Sequence, residues 1–408
     1  MRRLLCARRL GPLVLTAVAA ELGVRLLAPR EPPLEPVPLD LEGYFSSEEV
    51  ERGARFARPQ MALGLARSML NLAALAEVVR RSRSSRSRPE RPSLAGAAAA
   101  AELVGGLTLV SLPLSAVARR RAIAVGLITQ SWRGWAGDVV KSTAIEATLA
   151  GGAGAAALGL IRRYPRGWWL PAAAGSVAIG TLLGALAPVV LDPVFNDFTP
   201  LPDGELRSDV LELAQAAGVE VGEVYEVDAS RRTTGANAYV TGLGPTKRVV
   251  LFDTLIERFT RDEVRVVVAH ELSHVRHRDV IRGMAYTALV APAAALTVQR
   301  LSWAISSQRD TPGALPALGL AAALVAAPVG LIGNRLSRAL ERRADTYSLK
   351  LSDAPDAFVS FERAIALQNV ADLSPPRWVT ALLATHPSTL ERIGAAVAYA
   401  QRDGRVAG

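Results

Sequence analysis

The sequence predicts a mainly α protein: a polytopic membrane helix bundle of six to seven spans, with an α+β unit at one membrane face. Three observations lead there. Hydrophobic residues make up 50% of the 408, and the mean hydropathy of +0.22 is high for a soluble chain. The apolar residues are gathered into long runs with few or no charges, each near the ~20 residues that a spanning helix needs. Two polar segments, 192–282 and 335–408, carry instead the patterns of short strands and amphipathic helices.

Residues 10–28 form the first and weakest run, broken by Glu21 and Arg25. Arg2, Arg3, Arg8 and Arg9 lead into it, and Ala17-Val18-Ala19 has the small-residue form of a signal-peptide cleavage site. Apolar sequence resumes at Leu26-Leu27, which favours an uncleaved anchor. The run at 61–79 holds Arg67 and Glu77, 94–118 holds only Glu102, 143–161 only Glu146, and 168–191 no charge. Residues 1–191 are therefore expected to be a membrane region of four to five spans. Uncharged runs at 283–299 and 314–333 make 283–334 a second membrane segment with two spans. Charges inside spans are costly and face a cavity or a partner. Glu102 and Glu146 are candidates to face an internal space, with the interface as the alternative for Glu146.

The chain carries a net charge of +9. Much of the excess sits in Arg80-Arg81-Ser82-Arg83-Ser84-Ser85-Arg86-Ser87-Arg88, beside a span, where topology and anionic lipid account for it. Aromatic residues are only 5%, too few for base-stacking platforms, so no nucleic-acid partner is expected. Cys6 is the only cysteine, so an internal disulfide is excluded.

In 192–282, Leu206, Val210, Leu213, Ala214 and Ala217 mark an amphipathic helix after the Pro202-Asp203-Gly204 turn. Strand-like Glu223–Val227 and Asn237–Leu243 follow, then a Gly244-Pro245-Thr246-Lys247 turn and Arg248–Phe252. A free edge there could take up an extended peptide by strand addition. A small sheet packing under the next helix is an equally good reading, and the two are compatible. That helix should start at the capping box Thr260-Arg261-Asp262-Glu263 and bury Val264, Val267, Val268, Leu272 and Val275.

On this helix lies His270-Glu271-Leu272-Ser273-His274, using two of the chain's four histidines. Chance places HExxH about once in several hundred chains of this composition. His270 and His274 stand one above the other, so two imidazole nitrogens can meet one zinc ion at about 2.0–2.1 Å. Glu271 turns aside from that ion and stands where a general base must be. A catalytic zinc takes a third protein ligand. Residues 334–345 read as a second helix, with Leu336, Leu340 and Ala344 on one side and Arg338, Glu341 and Asp345 on another. Glu341 is the best third ligand. Asp345 could accept the N–H of a ligating imidazole and fix its tautomer. His277, at helical spacing from His274, is read as a surface or supporting residue because three ligands suffice. His386, before a proline, is by itself a loop or capping residue.

With these residues in view, the sequence resembles the type I CAAX prenyl endopeptidases, multi-spanning zinc metallopeptidases of the gluzincin kind. Asp192–Leu201 is similar to the family's segment entering the catalytic domain, and Thr234–Gly242 to its substrate-strand signature. Val249–Leu255 and Thr385–Ile393 resemble its next strand and its C-terminal block, and Gly126–Ser131 also fits. The resemblance implies a seven-helix barrel around a water-filled chamber, closed at one end by the zinc domain. It implies one zinc per chain on His270, His274 and Glu341, with Glu271 as base. It further implies that Asn237 and Ala238 bind substrate backbone, and that His386 donates to the oxyanion with Arg392 in support.

The expected activity is a zinc-dependent endopeptidase acting on membrane-associated or CAAX-like lipidated peptides. A quality-control metalloprotease that reads no lipid is the alternative, and a zinc-stabilised scaffold without turnover is a third reading. Alanine and arginine richness give the chain a bacterial look, which places it in a bacterial cell membrane. The resemblance implies a cytosolic catalytic domain. The basic loop at 80–92 predicts the opposite, since three spans separate it from residue 192; Arg119-Arg120-Arg121 pulls the other way with half the charges.

Overall fold

The computed structural model describes residues 7–82, 89–242 and 247–402. Five long helices come first: α1 (Ala7–Leu27), α2 (Ser47–Ser82), α3 (Pro92–Ala124), α4 (Trp132–Arg163) and α5 (Trp169–Val190). A polar unit follows, with α6 (Asp192–Phe195), β1 (Phe198–Pro200), α7 (Glu205–Ala216), β2 (Glu223–Val227), β3 (Ala238–Thr241), β4 (Arg248–Phe252), α8 (Asp253–Arg258) and α9 (Arg261–Arg276). Two long helices, α10 (Asp279–Ile305) and α11 (Leu315–Ser352), lead to α12 (Pro355–Gln368), α13 (Arg377–Leu382) and α14 (Thr389–Arg402).

Among the described residues, six helices (α2 to α5, α10 and α11) are long and apolar enough to cross a membrane. Their outer faces carry bare apolar side chains, such as Leu109, Val140, Leu182 and Leu289. Lipid is the solvent that such faces require, so the protein is an integral, multi-pass membrane protein. The helices close on one another: α2 packs on α3, α3 on α4, α5 on α10, α10 on α11, and α11 on α2. The weaker run at 10–28 becomes α1, which lies along α10 and α11. There the Thr16 and Thr297 hydroxyls meet at 2.8 Å, and Gly23 lets the Tyr286 ring come close. Arg2, Arg3 and Cys6 lie outside the described residues.

Glu102 and Glu146 each face a cavity. Glu146 shares a cavity of about 520 Å³ between α2, α3 and α4 with Arg67, Asn71 and Ser111. Glu102 lines a second, of about 590 Å³, with Arg81.

The four strands form one sheet in the order β1-β2-β4-β3, with β2 and β4 parallel and the outer pairs antiparallel. Val224, Val249 and Leu251 from the sheet pack with Val210 and Leu213 of α7 and with Val264, Val268 and Leu272 of α9. The expected second strand is shorter than its pattern, and the turn at Gly244–Thr246 lies outside the described residues. β1 was not expected: three residues ending in proline give little strand signal. The sheet tolerates Pro200 because β1 is an edge.

Two helices are continuous across places where the sequence suggested a change. α11 runs 38 residues, about 57 Å, so roughly half lies beyond what the hydrocarbon layer needs. This protruding half carries Glu341 and Asp345. α2 behaves likewise at its start, where Arg58 Nε donates to Asp372 at 2.9 Å and Phe45 nearby packs with Ile393 and Leu373. Its Arg80-Arg81 end is therefore roughly 50 Å away, at the face opposite the polar unit. Arg83–Arg88 of the basic loop lie outside the described residues. Arg121 sits at the polar-unit end, bonded to the Arg55 carbonyl at 2.8 Å. The two basic clusters thus mark opposite ends of the bundle.

Candidate active site

α9 begins as its sequence dictates. Thr260 N–H donates to Glu263 at 2.7 Å, and the Glu263 N–H donates back to Thr260 Oγ1 at 3.3 Å. The apolar stripe buries against the sheet and leaves His270, Glu271 and His274 toward α11. Ser348 of α11 donates to the Val266 carbonyl at 2.7 Å, fixing one helix against the other.

His270, His274 and Glu341 each offer a ligand atom, and these atoms lie within 4.8 Å of one another. The two Nε2 atoms are 3.2 Å apart, and Glu341 Oε2 is 3.2 Å from that of His270. Two nitrogens on one tetrahedral ion at about 2.05 Å would stand about 3.3 Å apart, so the spacing suits a metal. The protons are placed to match. Nδ1 of His270 is 2.9 Å from Asp345 and Nδ1 of His274 is 2.9 Å from Asp279. An ionised carboxylate only accepts, so each Nδ1 donates and each Nε2 is free to ligate. The donor set, two imidazoles and a carboxylate, suits a catalytic divalent metal ion.

The same carboxylates make a proton the competitor for this site. Burial pulls the His270 pKa down, but bonds to Asp345 and Glu341 overcome it and push it up to about 10. Burial pushes the Glu271 carboxyl above its ordinary range, against the pull of His270 and His274. A carboxyl so placed takes up a proton more readily than a free one.

Behind His270 the charges continue. Arg392 of α14 grips Asp345 with Nη2 at 2.6 Å and Nε at 3.0 Å, and its Nη1 is 2.6 Å from Glu362 of α12. Its guanidinium lies over the Phe358 ring at 5.7 Å. The resemblance implied Arg392 in support of His386 at the oxyanion. Its guanidinium is engaged by Asp345 and Glu362, behind the group of His270, His274 and Glu341. Asp279 is also ion-paired with Arg343. Gly394 lets α14 lie against the Pro36-Val37 segment, where a Cβ would meet the Val37 carbonyl at 2.5 Å.

His386 stands at the open side. Its side chain is 60% exposed, and Nδ1 donates to Glu341 Oε2 at 2.9 Å, which leaves Nε2 outward. His277 takes no part: its Nδ1 donates to the Ser273 carbonyl at 2.9 Å and its ring meets Tyr347.

β3 is an edge strand packed against α9. The Phe252 N–H donates to the Asn237 carbonyl at 3.1 Å, so residue 237 pairs inward. Antiparallel alternation then turns the backbone N–H and C=O of Ala238 and Val240 to the open edge. Asn237 is exposed, whereas the Ala238 side chain is buried in the core, so only its backbone can meet a ligand.

Sequence reasoning missed Asp279 and Glu362. Asp279 had a signal: it follows His274 by five residues, past a helix end where Arg278 adopts φ 57° and turns the chain back. Glu362 had none, being one charge on an amphipathic helix.

A ring of spanning helices with a His-His-Glu group at one mouth, a free carboxylate beside it and an open strand edge defines a membrane-embedded metallopeptidase. Comparison with known proteins agrees. Residues 200–400 match the model of peptidase family M48, and residues 33–197 match the CAAX prenyl protease N-terminal region of five membrane helices. The chain belongs to peptidase family M48 and, with that N-terminal region, to its CAAX prenyl protease group. It is 33% identical over 295 residues to the uncharacterized metalloprotease YhfN of Bacillus subtilis, covering 70% of this chain and 69% of that one. It is 34% identical to CAAX prenyl protease 1 of Saccharomyces cerevisiae over 158 residues, 38% of this chain and 34% of the yeast protein. The chain thus spans about a third of that relative's length. The crystal structure of S. mikatae Ste24p superposes with a TM-score of 0.76 over 95% of this chain and 96% of that one, at 21% identity. That likeness is one of fold.

Proposed function

We propose that the protein is a zinc-dependent endopeptidase of a bacterial cell membrane, binding one zinc per chain and hydrolysing membrane-associated peptides of the CAAX-like lipidated kind. The observation that carries this is the convergence of His270, His274 and Glu341 beside Glu271. His270, His274 and Glu341 would hold the zinc, which would supply a Lewis acid for a scissile carbonyl and for water. Glu271 takes the proton of the attacking water and delivers it to the leaving amine. The open edge of β3 pairs with the extended peptide through Ala238 and Val240, and Asn237 binds beside them. His386 donates Nε2–H to the developing oxyanion in its imidazolium form, the form that also keeps Nδ1–H on Glu341. Asp345 and Asp279 hold the two ligating imidazoles in one tautomer, and Arg392 keeps Asp345 in place.

The substrate class is tested with a matched pair of peptides, one farnesylated at a CAAX cysteine and one bare, offered to detergent-purified protein. Much faster cleavage of the farnesylated peptide supports the lipid-reading assignment. Equal cleavage of both would replace it with a general membrane-protein protease.

A further inference from the structure

A second concave site lies away from the metal ligands, at the joint between α1, the α9–α10 turn and α11. It encloses about 340 Å³ and is lined by Arg30, Arg282, Arg343 and His277, with Glu31 as the one acid. Three guanidiniums around so small a space are costly unless an anion answers them. Asp279 answers part of the charge: it pairs with Arg343 and lies 3.7 Å from Arg282. Arg343 is 93% buried, yet its Nε has no hydrogen-bond partner. Arg282 uses Nη1 on the Leu27 carbonyl at 2.8 Å, which ties the end of α1 to the start of α10. Arg30 is exposed.

The surroundings identify the kind of anion. Leu22 and Leu26 on α1 are 51% and 67% exposed, and Val280 and Ile281 on α10 are 66% and 58% exposed. These side chains end where the arginines begin. An apolar wall meeting a basic pocket at the rim of a membrane bundle matches a lipid: acyl chains along the wall, phosphate in the pocket. Guanidinium donors suit phosphate oxygens in both geometry and charge.

We propose that this pocket binds the phosphate of an anionic phospholipid, with the lipid's chains against Leu22, Leu26, Val280 and Ile281. The site is separate from the substrate edge on β3. It meets the catalytic group through Asp279, which pairs with Arg343, lies 3.7 Å from Arg282 and stands 2.9 Å from His274.

The test is binding of phosphatidylglycerol to full-length detergent-purified protein, followed by native mass spectrometry and lipid titration. Phosphatidylcholine and inorganic phosphate are run in parallel. The variants are Arg30→Glu and Arg282→Gln, with exposed Arg258→Glu as a charge control. Arg343 is left intact because it holds Asp279. The proposal predicts that phosphatidylglycerol binds in preference to phosphatidylcholine. Each pocket variant should weaken it by about tenfold, the size of one charge-assisted bond, while Arg258→Glu leaves it unchanged. Equal retention by wild type and both pocket variants would overturn the site. Displacement of the lipid by inorganic phosphate at equal concentration would overturn the lipid source and leave a free-phosphate site. Folding of each variant is checked by its retained metal content, so a collapsed variant is not counted.

Discussion

The Asp279 carboxylate stands 2.9 Å from Nδ1 of His274, across the turn where the metal helix ends and the next span begins. Asp345 does the same for His270 from another helix. Each histidine of the HExxH pair therefore has its own carboxylate, although the two acids are 66 residues apart in sequence and reach the site by unrelated routes.

This pairing predicts the effect of Asp279→Asn. The amide still accepts from Nδ1 but no longer favours the charged state or answers Arg343. Metal affinity should fall by about 10–100-fold with the fold intact. Competition with a chromophoric chelator measures it; an affinity within twofold of wild type would remove Asp279 from the site's support.

Arg392 is enclosed by two carboxylates and one aromatic ring. Arg392→Leu leaves Asp345 and Glu362 buried without a cation, and should cost about 3–5 kcal/mol of stability. Arg392→Lys keeps the charge but not the fork, and should recover only part of it. Thermal unfolding in detergent ranks the three proteins. Leucine at wild-type stability would contradict the ion-pair reading.

Glu362 gives a pH signature. Burial pushes its carboxyl from the ordinary 4.5 up to about 7, against the pull of Arg392. The folded protein thus holds this proton more firmly than the unfolded chain. The resulting stabilisation is full below about pH 4.5 and is lost as pH rises through about 7. Glu362→Gln cannot titrate, so the stability advantage of wild type over the variant should shrink as pH rises across the window. Parallel curves for the two proteins would show that Glu362 does not titrate there.

The strand edge can be tested without touching the metal. Val240→Pro removes an N–H that faces away from β4, so the sheet keeps its ladder. Peptide kcat/KM should fall by about tenfold or more, as for loss of a bond to substrate, while metal affinity and stability hold. An unchanged kcat/KM would place the substrate elsewhere.

Much of this site was legible before any coordinates. HExxH on a capped amphipathic helix brings two histidines and a carboxylate together through local periodicity alone, and Glu341 with Asp345 repeats that spacing on a second helix. The apolar runs were equally plain, since spans need only length and lack of charge. What stayed hidden was relational. Arg392 read as a residue near substrate because nothing local reveals that Glu362, thirty residues earlier, closes on it from α12. The continuity of α11 was hidden for a different reason. Its composition changes at Asn334 from apolar to charged, but a helix leaving a membrane changes solvent without changing backbone.

The most direct measurement is metal content and peptide hydrolysis of Glu271→Gln beside wild type, each with and without chelator. The account predicts that wild type cleaves and that chelator stops it. It also predicts that the variant binds the same one metal ion per chain yet turns over at least about a thousandfold more slowly, the scale of a lost general base. A variant that keeps its metal and cleaves at a rate near wild type would contradict the assignment of Glu271 and the mechanism built on it.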